Sequence, residues 1–207
     1  MSLATVVSND LVSVKLKNDD SPSFIGAWYL EDLSVCDDLI DLHNNNPDLY
    51  QGMMTLGDKQ LVDKKTKDSI DLDADDDPTN PVYVKYCKEV QKVLECYMRR
   101  YTYSNRMQVF KLGNVVTQKY PKNGAYHKWH TERVGLGSGD RHLVYMTYLN
   151  DINDDGETEF FYQKLKVKPR KGLTLIWPTD WTHMHRGIPS STEVKYISTG
   201  WYKFTGE

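Results

Sequence analysis

The spacing of apolar residues changes near Met107, and that change limits the fold of this 207-residue chain more than any other feature. Upstream, Tyr83, Tyr86, Cys87, Val90, Val93, Leu94, Tyr97 and Met98 recur at intervals of three and four, which predicts a helix over 81–101 lying against a sheet. Thr79 or Asn80 would cap it, with Pro81 in the first turn. Downstream come short runs rich in Val, Thr, Tyr and Trp, separated by Gly, Asn and Pro. They predict strands at 107–111, 115–120, 125–131, 142–149, 158–163, 173–177, 182–186 and 194–204.

Within those strands His130 and Glu132 stand one residue apart, followed by His185 and, after nine intervening residues, Lys195. In an extended segment residues i and i+2 face the same side, so His130 and Glu132 can reach one metal ion together. A strand lying opposite in a closed β-structure would bring His185 as third ligand. Two imidazoles and one carboxylate on one face of an octahedron leave three positions open, which suits a ferrous ion that works with dioxygen. Eight short strands with ligands on two of them predict an α+β, mainly β chain with a double-stranded β-helix, or jelly-roll, core. That core would occupy 106–204 of a single domain spanning 1–207, with a strand and helix layer over 1–105 buttressing one outer face.

The surrounding residues extend the pattern: Y-P-K-N-G-A-Y-H-K-W-H-T-E at 120–132, Y-L-N-D at 148–151, G-E-T-E-F at 156–160, V-K-P-R-K-G at 167–172 and H-R-G-I-P-S-S-T-E-V-K at 185–195. Over roughly 110–204 the chain resembles the prolyl 4-hydroxylase-like branch of the 2-oxoglutarate and iron(II)-dependent oxygenases. The resemblance implies that His130, Glu132 and His185 bind iron and that Lys195 pairs with the far carboxylate of 2-oxoglutarate. Tyr148 would hydrogen-bond that same carboxylate, and Tyr120 would line the pocket. It also implies dioxygen as second co-substrate, ascorbate as a candidate reductant, and hydroxylation of a C–H bond with release of succinate and carbon dioxide. The implied substrate is a peptidyl proline. A free amino acid or other small metabolite is the runner-up, a nucleic-acid demethylase is third, and a non-catalytic jelly-roll that binds metal or ligand is the reading from another class. Glu132 stands where the family more often has Asp, which lengthens the ligand arm by one methylene.

His183 competes with His185 for the third ligand position; Arg186, Gly187 and Pro189 after His185, and the interval to Lys195, favour His185. Arg133 and Arg186 adjoin ligands and are candidates for substrate contact or for orienting them, and Trp181 is a candidate wall of a substrate groove. Two acidic stretches imitate calcium loops. Residues 71–77 lack the glycine bend and closing glutamate, and 151–156 has Tyr162 at its twelfth position, so the first reads as a solvated loop and the second as a hairpin turn at Asp155-Gly156.

Phe24 to Leu30 reads as a first strand, 35–44 as a helix capped by Ser34, and 52–80 as a long irregular connection able to close over a peptide. A formal charge of −3 argues against general nucleic-acid binding. No apolar run reaches eighteen residues and Met1 to Asp20 lacks a signal-peptide pattern, so a cytoplasmic protein with no membrane association is expected. Cys36, Cys87 and Cys96, odd in number and without C-x-x-C spacing, read as buried thiols in a reducing compartment. Oligomeric state is not encoded in any of these features.

Overall fold

Alternating residues of one large sheet divide the interior in two: one face receives the helices and the other encloses a cavity. The computed structural model describes residues 11–16, 22–56, 59–74, 77–106 and 109–206. Strands β1 (Gly26–Tyr29), β2 (Tyr50–Gln51), β5 (Ile70–Asp73), β6 (Phe110–Tyr120), β7 (Arg141–Tyr148), β10 (Leu173–Pro178) and β12 (Lys195–Phe204) form an antiparallel sheet in the order β1-β10-β7-β12-β6-β5-β2. A smaller sheet, β11-β8-β9, comprises β8 (Thr158–Phe160), β9 (Leu165–Val167) and β11 (His185–Gly187). Strands β3 (Met54–Leu56) and β4 (Lys59–Leu61) pair as a separate hairpin. This is a mainly β jelly-roll with two α-helices, α1 (Ser34–Asn45) and α2 (Pro81–Arg100).

Helix α2 places Tyr86, Val90, Val93, Leu94 and Tyr97 in one core cluster with Val115, Leu143, Tyr145 and Tyr202 of the sheet. The intervening residues Val144, Met146, Tyr148, Ile197 and Trp201 fall in a second cluster on the opposite face, as a period of two requires. Each large apolar side chain buried in either cluster contributes about 1.5–3 kcal/mol. Asn80 caps α2 by accepting from Val82 N at 2.9 Å, worth about 1 kcal/mol. Buried Glu89 of α2 accepts from Glu31 N and Asp32 N at 2.9 and 3.1 Å, fixing the link between β1 and α1 to the long helix.

Several expected boundaries move. The strands expected at 107–111 and 115–120 are one strand, β6, with Met107 and Gln108 outside the described residues. The Gly113-Asn114 pair that reads as a break is a bulge: pairing with β12 shifts by one residue between Gly200 and Tyr202. Gly200 is required there, since a Cβ would lie 1.8 Å from the Asn114 carbonyl oxygen. Ser34 does not cap α1; the Asp32 carboxylate accepts from both Ser34 N and Ser34 Oγ instead.

The described residues of 52–80 carry more regular structure than expected, because β5 joins β6 and paired strands β3 and β4 precede it. Charged residues hide that alternation, and Asp71, read as part of a solvated loop, is buried; Asp75 and Asp76 lie outside the described residues. The turn at Asp155-Gly156 forms, with φ of 33° and 79°, yet it is not a hairpin. It carries the chain from β7 in the large sheet to β8 in the small one. The expected strand 182–186 is divided between a 3-10 turn at Trp181–His183 and β11, and β9 was not anticipated.

Candidate active site

The expected strand at 125–131 is absent. Residues there bond to two different neighbours in succession: His127 N donates to Thr66 O, Gly187 N donates to Tyr126 O, and His130 then pairs with His185. No single ladder can form, but the segment is held on both sides. His130 and His185 exchange backbone hydrogen bonds of 3.0 Å in each direction, so the two histidines enter the site as direct neighbours.

Their side chains are oriented by the backbone. His130 Nδ1 donates to Lys128 O at 3.0 Å and His185 Nδ1 donates to His183 O at 2.9 Å. A carbonyl can only accept, so each Nδ1 carries the hydrogen and each Nε2 presents its lone pair. Both Nε2 atoms face Glu132 Oε1, at 3.5 Å from His130 and 3.3 Å from His185. Tyr126 stacks on the His130 ring with centroids 3.6 Å apart and fixes its plane.

Burial, and then the neighbouring His185, push the His130 imidazole toward its neutral form. Burial alone would raise the Glu132 carboxyl, but the two imidazoles prevail and hold it well below the usual carboxylate range. Three electron-rich atoms so placed are stable only around positive charge, whether protons on the rings or a metal ion. Metal bonds of about 2.1 Å put adjacent donors about 3 Å apart, close to what is seen here. His130, Glu132 and His185 are the one group of potential metal ligands found among the described residues, with ligand atoms all within 4.8 Å of one another. The donor set fits a facial two-histidine, one-carboxylate centre.

His183 does not join it. Its Nε2 meets Ser23 O at 3.1 Å and its Nδ1 meets Thr182 Oγ1 at 3.0 Å, so both ring nitrogens are engaged elsewhere.

The triad opens on a cavity of about 240 Å³ between the two sheets. Along β12, Lys195, Ile197, Thr199 and Trp201 all line it, at successive alternate positions. Lys195 is only 5 % exposed, donates from Nζ to Gly156 O at 2.9 Å and lies 5.2 Å from the Tyr120 ring centroid. Burial lowers the Lys195 ammonium to about 8, against the opposing attraction of Glu157. Such a cation is ready to receive an anion.

Tyr120 lines the cavity, with its hydroxyl donating to Gln118 Oε1 at 2.8 Å. Gln118 in turn donates to Asp71, which also meets Lys67 Nζ at 2.5 Å. Tyr148 is not on the cavity wall. It lies beneath, donating to Val167 O at 3.0 Å and sharing a 2.7 Å bond with the Thr158 hydroxyl. Thr158 is the residue that reaches the cavity. It stands inside the quoted G-E-T-E-F segment, two residues before Phe160, where the period of two within that strand could have identified it.

Arg133 makes a bidentate pair with Asp180 at the edge of the site, and Arg186 lines the cavity while pairing with Glu159 and lying over Trp129. Trp181 is 65 % exposed and meets Tyr162 edge-on, outside the cavity wall. Arg141 and Trp201 line the cavity beside Glu132.

Residues 115–203 match the model of the 2OG-Fe(II) oxygenase superfamily. A curated relative, probable prolyl 4-hydroxylase 9 of Arabidopsis thaliana, is 28 % identical over 108 residues, covering 42 % of this chain and 37 % of its own length. The chain therefore spans well under half of that relative. A Pseudomonas putida prolyl-4-hydroxylase structure aligns with a TM-score of 0.66 at 15 % identity, covering 88 % of this chain and 94 % of that one. A Trichoplax adhaerens prolyl hydroxylase in complex with a hypoxia inducible factor oxygen degradation domain peptide fragment aligns at 0.69 and 15 % identity, over 87 % and 84 % of the two chains. The viral collagen prolyl hydroxylase of Paramecium Bursaria Chlorella virus-1, in its 2OG complex, aligns at 0.60 and 16 % identity, over 88 % and 97 %. Residues 115–203 thus resemble the 2OG-Fe(II) oxygenase superfamily, in a fold similar to that of prolyl hydroxylases.

Proposed function

We propose that this protein is an iron(II)- and 2-oxoglutarate-dependent dioxygenase that hydroxylates proline within a peptide. The observation that carries the reading is the pairing, in one cavity, of a facial His130–Glu132–His185 donor set with the buried ammonium of Lys195. Iron(II), when bound, would activate dioxygen as the oxidant; 2-oxoglutarate would give two of the four electrons dioxygen takes up and leave as succinate and carbon dioxide with one oxygen atom, and the C–H bond would give the other two and receive the second oxygen atom.

The chain's own residues position these partners. His130 and His185 offer Nε2 because backbone carbonyls hold their Nδ1 hydrogens. Lys195 would take the far carboxylate of 2-oxoglutarate, with the Thr158 hydroxyl as a further donor on the same cavity wall. Pairing with that carboxylate restores the proton affinity that burial removes from Lys195. Aliphatic and aromatic walls, Val144, Met146, Ile197 and Trp177, limit water around the reacting groups.

A peptide substrate is supported by exposed Met53 and Val134, which join Met54 and Arg186 in the cavity lining. It is also supported by the peptide held by the Trichoplax adhaerens homologous fold. Incubation with iron(II), 2-oxoglutarate and either proline-containing peptides or free amino acids tests the substrate. The reading predicts succinate formation coupled to a mass gain of one oxygen atom on a peptidyl proline. Coupled oxidation of free amino acids with none of the peptides would replace it with the small-metabolite reading.

A further inference from the structure

The two oxygens of Glu132 have different surroundings. Oε1 faces the imidazoles of His130 and His185 at 3.5 and 3.3 Å. Oε2 accepts from the Trp201 indole N–H at 3.1 Å and lies 3.6 Å from Arg141 Nη1. Arg141 Nη1 also donates to the Glu132 main-chain carbonyl at 2.8 Å, and its guanidinium lies over the Trp201 ring, 3.7 Å from the centroid. Indole, guanidinium and carboxylate thus form one packed unit. Both ends of the glutamate, main chain and side chain, are held by it.

We propose that Trp201 and Arg141 are positioning residues that retain Glu132 Oε2, so that the carboxylate meets the metal through Oε1 alone. Glutamate has one more rotatable bond than the aspartate usual at this position, and a free glutamate can swing to present both oxygens to a metal. A second carboxylate oxygen would take a coordination position otherwise open to 2-oxoglutarate or dioxygen. Occupying Oε2 with an N–H donor removes that option and fixes the added length of the arm. Trp201 reaches Oε2 because it shares the cavity-facing parity of Lys195, Ile197 and Thr199 on β12. The proposal rests on the metal-binding reading of the triad, and the test separates the two.

Cobalt(II) alone is added to metal-free wild type, Trp201→Phe, Glu132→Asp and the double variant, with affinity read by calorimetry and coordination by the cobalt absorption spectrum. Trp201→Phe keeps an aromatic side chain but removes the N–H donor. It should weaken cobalt binding by about tenfold and change the ligand-field bands, the magnitude expected when an outer partner of a ligand is lost. In the Glu132→Asp background the shorter arm cannot span imidazoles and indole together, so adding Trp201→Phe should cost less than about threefold. Unchanged affinity and spectrum in Trp201→Phe, or an equal loss in both backgrounds, overturns the proposal. If circular dichroism shows Trp201→Phe unfolded, Arg141→Lys, which keeps a cation but loses the planar stack, must show the same cobalt defect, and wild-type binding by that variant overturns it too. Failure of wild type to bind cobalt removes the metal reading itself and the brace with it.

Discussion

His130 and His185 face each other as an isolated antiparallel pair, each donating its backbone N–H to the other's carbonyl at 3.0 Å. Two candidate ligands separated by 55 positions in the sequence are thereby set in register by the main chain alone. Outside the pair, His183 and Lys128 supply the carbonyls that orient the rings. Preorganisation at this level reduces the cost of assembling the centre.

His185→Ala should lose metal affinity by well over about 100-fold, beyond what loss of an outer partner produces. His183→Ala should bind metal within about threefold of wild type, since its backbone carbonyl, the part that orients His185, survives the change. Titration of both variants with cobalt(II) distinguishes the two histidines. The opposite pattern would give the third ligand position to His183.

The site was only partly legible in the sequence. Residue type and spacing proposed His130, Glu132 and His185 as metal ligands, and the family resemblance added Lys195 as a carboxylate partner; the structure brings all four to one cavity. Arg141 and Trp201 were not legible, because their relation to Glu132 depends on which strands become neighbours: β12 pairs with β7, and Trp201 falls opposite Val144. Tyr148 points in the same direction as Val144 and Met146, yet the fold sets it under the cavity with Thr158 above. In the fold, α2 announced itself through an unbroken apolar stripe. The strands in 50–73 did not, since Lys59, Asp71 and Asp73 carry charges where a strand reader looks for apolar alternation.

Thr158 and Tyr148 therefore predict opposite phenotypes. Thr158→Val should raise the half-saturating 2-oxoglutarate concentration about 5- to 10-fold, as expected for one lost hydrogen bond of about 1–1.5 kcal/mol. Tyr148→Phe leaves the buried Val167 carbonyl without its donor and should cost about 1–3 kcal/mol in a urea melt, with little change in 2-oxoglutarate affinity. A large affinity loss in Tyr148→Phe with unaltered stability would restore a direct role for that tyrosine.

Lys195 predicts a pH dependence. Burial lowers its ammonium to about 8, so it is charged below that pH and neutral above it in the free protein. Binding of 2-oxoglutarate to the metal-loaded protein without dioxygen should weaken as pH rises through about 8, and Lys195→Met should bind weakly with this inflection absent. For stability the sign is reversed. The unfolded chain holds the proton up to its ordinary value of 10.5, so burying this lysine carries a stability penalty that is full below about 8 and is lifted as pH rises from about 8 to 10.5. An identical pH profile in wild type and Lys195→Met would remove the lysine from co-substrate binding.

On the opposite wall, the Lys67–Asp71 pair is buried, with side chains only 8 % and 3 % exposed. Asp71→Ala strands the Lys67 ammonium and the Gln118 amide and should cost about 3–5 kcal/mol. Replacing both partners by apolar residues, Lys67→Met with Asp71→Leu, should recover most of that loss. Denaturant unfolding of the three variants checks it; a double variant no more stable than Asp71→Ala would show that the pair contributes more than mutual neutralisation.

The most direct measurement is anaerobic absorption spectroscopy of the protein with iron(II) and 2-oxoglutarate. Wild type should develop a metal-to-ligand charge-transfer band on adding 2-oxoglutarate, His185→Ala should show none, and Lys195→Met should need far more 2-oxoglutarate to reach it. Absence of the band in wild type, with no succinate formed after dioxygen is admitted, would contradict an iron and 2-oxoglutarate centre at His130, Glu132 and His185.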